Sequence, residues 1–164
     1  MGYKKAQGRS DVFQTPNIAL EPLLPFVPKK YSIWEPASAN GNIVNFFNQN
    51  GYQISGTDIT NGVDFFENNL KADCIITNPP YSIKDKWIKR CYDLNLPFML
   101  LLPITALEGK NRQKLYNQKG IQLILFNKRI NYETPSGNGS GAWFSSAWFC
   151  YGFDLPNQLN FIEI

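Results

Sequence analysis

The sequence contains no histidine among its 164 residues. Histidine is the side chain that most often serves as a general base near neutral pH, and it is the commonest metal ligand. Its absence excludes Ser-His-Asp triads, histidine general bases and His-Glu-x-x-His zinc sites. Any chemistry performed by this chain must therefore use carboxylates, amides, phenols, backbone groups or a cofactor.

Cysteines and long apolar runs are also scarce. Cys74, Cys91 and Cys150 are widely spaced, which indicates buried thiols rather than a disulfide framework or a C-x-x-C metal site, so no metal is expected. The longest apolar run, Pro97–Ile104, is far shorter than the roughly 20 residues that span a bilayer. No apolar signal segment follows the basic N-terminus. We therefore expect a cytoplasmic protein that does not contact membranes.

The positive charge is concentrated in one segment. Between Lys84 and Arg129 there are ten Lys and Arg residues against three acidic ones, a net charge of +7, whereas the whole chain has a net charge of +3. Two interpretations stay open, namely solvated helix faces and a surface that meets a polyanion such as nucleic acid.

Apolar strands alternate with amphipathic helical segments, and this order predicts an α/β fold with a mostly parallel sheet covered by helices on both faces. The length indicates a single domain. A final antiparallel strand within the aromatic run 142–153 is expected at the far side of the sheet. The predicted strands are Tyr31–Glu35, Tyr52–Asp58, Cys74–Asn78, Pro97–Pro103 and Ile121–Phe126, and the predicted helices are a short one opened by Thr15-Pro16, Asn42–Gly51, Ser82–Leu94 and Gly109–Gly120.

Polar side chains stand where three of these strands end. Ligands of open α/β sheets bind outside the carboxyl ends of the strands, which draws attention to Glu35, Asp58 and Asn78. Asp58 lies 23 positions beyond Glu35, close to the spacing of about 20 at which a carboxylate takes the hydroxyls of a bound ribose. The alternative is that Asp58 only caps its own turn.

The motifs EPASANGN, GTDI, GVDFF and TNPPYS occur in an order that resembles the S-adenosylmethionine-dependent amino-methyltransferases. The likeness is greatest to small solitary adenine-N6 DNA methyltransferases. This resemblance implies a Rossmann-like class I methyltransferase fold and S-adenosylmethionine as the cofactor. It also implies one catalytic domain over residues 1–164 without a separate target-recognition domain.

The resemblance also implies roles for individual residues. Glu35 would lie near the methionine end of the cofactor, Asp58 would bind its ribose, and Asp64 and Phe65 would hold its adenine. The segment Phe13–Pro16 resembles the motif whose backbone closes over the methionine tail. The complete predicted cofactor set is Thr15, Pro16, Glu35, Ala37, Gly41, Asp58, Ile59, Asp64, Phe65 and Asn78.

One residue departs from the family pattern. Ala39 stands where the family usually has glycine. Its methyl group is expected either to push the backbone away from the cofactor or to force a different φ angle.

The Asn-Pro-Pro-Tyr motif suits methylation of a weakly nucleophilic amine. If the side-chain oxygen of Asn78 and the carbonyl of Pro79 each accept one N–H, the amine nitrogen is drawn toward tetrahedral geometry and its lone pair localises. Pro79 and Pro80 fix the backbone, and Tyr81 offers a face on which an extruded base can stack. The predicted catalytic residues are thus Asn78, Pro79, Pro80 and Tyr81. The alternative is a rigid turn after a strand.

The clustered charge favours nucleic acid as the substrate, with DNA ahead of RNA, and Tyr81, Lys84, Lys86 and Arg129 are expected to contact it. Methylation of RNA bases or protein glutamine stays open, because Asn-Pro-Pro-Tyr serves those reactions too, and so does a non-catalytic binding protein. Since the chain leaves no room for a recognition domain, we expect weak sequence selectivity, a homodimer or a separate specificity partner.

Overall fold

A computed structural model describes residues 14–134, 137–138 and 144–164. Phe13 and most of the glycine-rich segment 135–142 lie outside these residues. Within the described ranges, no helix is long and apolar enough to cross a membrane. The strands are β1 (Ser32–Glu35), β2 (Gln53–Gly56), β3 (Cys74–Thr77), β4 (Phe98–Pro103), β5 (Gln122–Phe126), β6 (Glu133–Thr134), β7 (Gly137–Asn138), β8 (Ser146–Tyr151) and β9 (Leu159–Ile162). The α-helices are α1 (Asn17–Leu20), α2 (Asn42–Gln49), α3 (Lys84–Leu94) and α4 (Lys110–Lys119), and 3₁₀ helices cover Glu21–Phe26, Ile59–Asn61, Tyr81–Ile83 and Ile104–Leu107.

Seven strands form one sheet in the order β2-β1-β3-β4-β8-β5-β9. The pairs β1 with β2, β1 with β3, β3 with β4 and β5 with β9 are parallel, whereas β8 runs antiparallel to both of its neighbours. β6 and β7 form a separate antiparallel ribbon. The predicted α/β fold with a mostly parallel sheet and one antiparallel strand is confirmed.

The position predicted for the antiparallel strand is wrong. β8 lies inside the sheet, where Cys150 pairs with Met99 of β4 and Trp148 pairs with Ile124 of β5. Five of its six residues are buried and most are apolar, which is the environment of an interior strand. The edge is taken instead by β9, a strand that the sequence analysis did not predict, and its Phe161 is 78% exposed.

Successive side chains of the central strands point to opposite faces of the sheet and pack into two hydrophobic layers. Ile33 of β1 packs on the side covered by α1 and α2, whereas the next residue, Trp34, packs on the side covered by α3 and α4. In β3, Ile76 packs on the side of α1 and α2, and Ile75 packs on the side of α3 and α4. The sheet is therefore covered on both faces, and the parallel strands β1, β2, β3 and β4 hold their carboxyl ends at one edge.

Candidate active site

The three polar residues predicted at strand ends meet at one edge of the sheet. β1 lies between β2 and β3 and is parallel to both. Glu35 is the last residue of β1 and pairs with Gly56, two positions before Asp58, and Asn78 directly follows β3. Parallel neighbours end on the same side, so the fold brings these side chains to one cleft edge, where ligands of such sheets bind.

Glu35 is a buried carboxyl group, with 1% of its surface exposed. Its Oε1 accepts a hydrogen bond from the Ala37 N–H at 2.8 Å and another from the Thr77 hydroxyl. Burial raises the pKa of Glu35 to about 8, because loss of hydration penalises the charged form more than these two donors favour it. The group is therefore mostly protonated at neutral pH in the ligand-free protein.

The turn between β1 and α2 has left-handed backbone at two residues, Ala39 with φ 44° and Gly41 with φ 85°. Gly41 adopts this conformation freely, whereas Ala39 does so against the repulsion between its Cβ and the backbone. The N–H of Ala39 donates to Asp58 Oδ2 at 3.0 Å, which ties the turn to the end of β2. Of the two expected effects of Ala39, the structure thus has the unusual φ angle.

Asp58 holds its own turn as well as the neighbouring one. Its Oδ1 accepts from the N–H of Thr60 at 2.9 Å and from the Thr60 hydroxyl at 2.7 Å. Burial alone would raise the pKa of Asp58, but the Thr60 and Ala39 hydrogen bonds outweigh it, so the pKa lies below its usual value. The turn-capping role is therefore present, and binding of a ribose stays a prediction. The next side chain, Ile59, is 55% exposed and offers an apolar surface beside the turn.

The predicted contact between the Phe65 ring and an adenine needs correction. The ring is 3% exposed and lies in the core, stacked on Trp87 at 4.3 Å between centroids and edge-on to Trp34 at 5.2 Å. An aromatic side chain with so much apolar surface gains more from this cluster than from an open cleft. The carboxylate of Asp64 accepts the N–H of Phe66 at 2.9 Å, so it too stabilises its own turn.

Asn78 is positioned by a residue far away in the chain. Its Nδ2 donates to the hydroxyl of Thr15 at 3.1 Å. This contact turns the amide nitrogen toward the segment before α1 and the amide oxygen to the opposite side. Pro79 is buried and Pro80 has φ −59°, the value to which a proline ring restricts the backbone, and the catalytic roles of both prolines stay predictions. Pro16, which follows Thr15, leads into α1.

Tyr81 belongs to an aromatic cluster that the sequence analysis missed, here called the tyrosine cluster (Tyr81, Tyr132 and Phe144). The Tyr81 and Tyr132 hydroxyls lie 3.5 Å apart, and Tyr132 shares a 2.6 Å hydrogen bond with Ser146. The Phe144 ring is edge-on to Tyr81 at 5.5 Å. Burial first, and then the neighbouring Tyr132, raise the pKa of Tyr81 well above its usual value, so its phenol stays neutral.

Some basic side chains of the charged segment have structural partners. Arg90 donates to the carbonyls of Phe65 and Asn68, and Arg112 pairs with Asp85 at 2.6 Å. The two arginines are therefore used within the fold. The side chains predicted to contact substrate differ in exposure: Lys84 is half-buried, and Lys86 and Arg129 are exposed.

A small cavity of about 20 Å³ lies among the strand ends. Ligand pockets usually measure about 300 Å³ or more, so this cavity is much smaller than a pocket that encloses a whole cofactor. Among the described residues, the side-chain nitrogen of Gln14 is buried at this cavity without a hydrogen-bond partner. The lining residues are Gln14, Thr15, Glu35, Ala37, Ser38, Ala39, Asn42, Ile43 and Asn78.

No family model and no curated protein matches this chain. Solved structures do match. A modification subunit assigned to a type I restriction enzyme of Vibrio vulnificus YJ016 has 12% identity and a TM-score of 0.55, over 97% of this chain and 48% of that one. This chain thus spans about half the length of that subunit.

Two further structures cover most of both chains. A protein of Pyrococcus horikoshii assigned as an RNA methyltransferase has 10% identity and a TM-score of 0.54, over 90% of each chain. One of Agrobacterium tumefaciens assigned as an O-methyltransferase has 10% identity and a TM-score of 0.53, over 84% of this chain and 81% of that one. Together with the sheet order, these likenesses define the fold as the class I methyltransferase fold.

Proposed function

We propose that this chain transfers a methyl group from S-adenosylmethionine to the exocyclic N6 of adenine in DNA. The observation that carries the proposal is the placement of Asn78. Its amide is oriented by Thr15 at the carboxyl end of β3, next to the buried Glu35 and directly before Pro79, Pro80 and Tyr81.

The residues at the strand ends fit S-adenosylmethionine in their chemistry. The methionine part of this cofactor carries an ammonium and a carboxylate group. The cavity between the strand ends has a buried carboxyl group, Glu35, and a buried amide donor, Gln14 Nε2, that is unpartnered within the described residues. A buried donor without an acceptor costs free energy unless a ligand or water satisfies it. Glu35, Gln14 and the turn Ala37–Gly41 would hold the cofactor, which supplies an electrophilic methyl group when bound.

The chain's own contribution to the reaction is acceptance of hydrogen bonds. The Asn78 amide oxygen and the Pro79 carbonyl each accept one N–H of the target amine, which localises the nitrogen lone pair for attack on the methyl carbon. As the N–C bond forms, the S–C bond breaks and S-adenosylhomocysteine leaves. The extra proton on nitrogen passes to water, so no histidine is needed.

Two further observations support nucleic acid as the substrate. Tyr81 places an aromatic ring next to Asn78 and Pro79, where an extruded base can stack. The segment Lys84–Arg129 has a net charge of +7, and Lys86 and Arg129 are exposed in it.

A modification subunit of a restriction enzyme is among the similar structures, and this chain spans about half of it. A homodimer or a separate specificity chain therefore belongs to the proposal.

The nature of the product tests the proposal. The protein is incubated with methyl-labelled cofactor and, separately, with DNA, tRNA and protein extract, and each sample is digested and analysed by mass spectrometry. We expect label in N6-methyladenine from DNA. Label in tRNA bases or in protein glutamine would assign one of the other methyl acceptors. Cofactor binding without label in any sample would indicate a non-catalytic protein.

A further inference from the structure

The buried amide of Gln14 has no partner for its nitrogen in the part of the chain that the structure describes. The side chain is 8% exposed and lines the small cavity together with Glu35 and Asn78. Native proteins rarely leave such a donor unsatisfied, because each one costs roughly 1 to 3 kcal/mol, and exceptions call for an explanation. An acceptor entering the cavity would provide one.

A second set of donors reaches the same cavity from α2. Its first two residues, Asn42 and Ile43, line the cavity, and no side chain of the described residues caps this end of the helix. The N-cap residue is Gly41, which has no side chain to offer, and the first turn contains no acidic residue. The first N–H groups of a helix lack acceptors within the helix and form its positive end, so they favour an anion.

The cavity thus has two chemically different sides. Gln14 and the start of α2 offer donors, whereas Glu35 offers a carboxyl group that already accepts from Ala37 and Thr77. A ligand that carries a carboxylate and an ammonium group on one carbon matches both sides: its carboxylate accepts hydrogen bonds from the donors, and its ammonium group donates to Glu35. Among the parts of S-adenosylmethionine, only the α-amino acid end has this pair.

We propose that Gln14 is the residue that recognises the α-carboxylate of the cofactor, donating from Nε2 while the N-terminal end of α2 supports the same negative charge. This inference rests on the proposed function, because it assumes that the cleft takes S-adenosylmethionine. It adds a side chain for which the sequence motifs gave no role, since in Phe13–Pro16 only the backbone was expected to close over the methionine tail.

Calorimetric titration with two ligands tests the role of Gln14 without any turnover. One ligand is S-adenosylhomocysteine, and the other is the same molecule without its α-carboxylate. Wild-type protein is expected to bind the first at least ~10-fold more tightly, the usual effect of a hydrogen bond to a charged group. In Gln14→Met, which keeps the side-chain length but removes the donor, this preference should fall to less than about 3-fold. If Gln14→Met does not fold, Gln14→Leu, which also lacks the donor, should show the same loss of preference.

A matched control is Gln113→Met, because Gln113 is an exposed glutamine on α4 that donates to the carbonyl of Leu107. The Gln113→Met variant should retain the full wild-type preference for S-adenosylhomocysteine over the ligand without the α-carboxylate. Thermal unfolding gives an independent readout: ligand-free Gln14→Met should melt at a higher temperature than wild type, because the unsatisfied donor is gone.

The outcomes separate this inference from the proposed function. One outcome is that wild type binds S-adenosylhomocysteine while Gln14→Met keeps the wild-type preference for the ligand with the α-carboxylate. In that case Gln14 binds only a buried water, and the inference about Gln14 is wrong although the cofactor assignment is retained. The same holds if wild type binds both ligands alike. If wild type binds neither, the cofactor assignment fails and the inference fails with it.

Discussion

Thr15 and Asn78 lie 63 positions apart in the sequence, yet the Asn78 amide donates to the Thr15 hydroxyl at 3.1 Å. This contact joins the segment before α1 to the end of β3. It fixes which side of the Asn78 amide carries the nitrogen. The orientation of the proposed acceptor oxygen therefore depends on a residue from another part of the chain.

Thr15→Val should lower the rate of methyl transfer by about 10-fold, because the Asn78 amide loses its orienting partner and must be ordered during the reaction. Thr15→Ser keeps the hydroxyl and should retain most of the rate. Single-turnover measurements with saturating cofactor distinguish the two variants. Equal rates for Val and Ser would mean that the hydroxyl does not position Asn78.

Glu35 should make folding stability fall as the pH rises. Its pKa in the folded protein is about 8, above the ordinary value of 4.5 for a glutamate side chain, so between these values the folded state retains a proton that the unfolded state has lost. The stabilising contribution is complete below about pH 4.5 and disappears as the pH rises through about 8. Relative to Glu35→Gln, wild-type protein should lose about 3 kcal/mol of unfolding free energy between pH 5 and 8, measured by urea denaturation. Parallel pH profiles for the two proteins would contradict the high pKa.

Ala39→Gly should stabilise the protein despite the flexibility of glycine. A left-handed alanine costs about 1 to 2 kcal/mol, and the added entropy of glycine in the unfolded chain offsets about 0.5 to 1 kcal/mol of the gain. The expected increase in unfolding free energy is thus up to about 1.5 kcal/mol. Ala37→Gly in the same turn is the matched control, because Ala37 is not among the residues with positive φ, and it should destabilise. Destabilisation of both variants would show that Ala39 is not strained.

Tyr132→Phe should weaken binding of the target base. The Tyr132 hydroxyl lies between Ser146 Oγ at 2.6 Å and the Tyr81 hydroxyl at 3.5 Å, so its removal loosens the orientation of the Tyr81 ring. We expect KM for DNA to rise by about 3-fold to 10-fold, with a smaller change in kcat. Tyr116→Phe also removes a buried hydroxyl, one that donates to the Ala106 carbonyl, and it should leave KM unchanged. An unchanged KM in both variants would show that the tyrosine cluster does not contribute to substrate binding.

The central strands and the cleft edge could be predicted from sequence because local pattern determines them. The run Cys74–Thr77 is fully buried and apolar except for Thr77, and the polar residues Glu35, Asp58 and Asn78 stand at strand ends or within two positions after them. Parallel pairing then brings them to one edge without further information. The position of β8 could not be predicted in this way, because which strands it joins is decided by long-range packing.

The contacts between side chains that are distant in the chain also could not be predicted from the sequence. The motif around Phe65 suggested a ring at the cleft, but Trp34 and Trp87 come from distant elements and draw that ring into the core. Gln14 gave no signal in the sequence, because a buried donor that lacks a partner among the described residues is visible only in three dimensions. The tyrosine cluster had a partial signal in the aromatic run 142–153, which indicated apolar packing but not its contact with Tyr81.

The most direct test of the proposed mechanism is the methyl-transfer rate of Asn78→Ala under single-turnover conditions, with cofactor affinity measured in parallel by calorimetry. The matched control is Asn127→Ala, which removes an asparagine that directly follows β5 and accepts the N–H of Ile164. We predict that Asn78→Ala lowers the rate by at least ~100-fold, with little change in cofactor affinity, because one of the two acceptors on the amine is lost. An unchanged rate in Asn78→Ala would contradict the account.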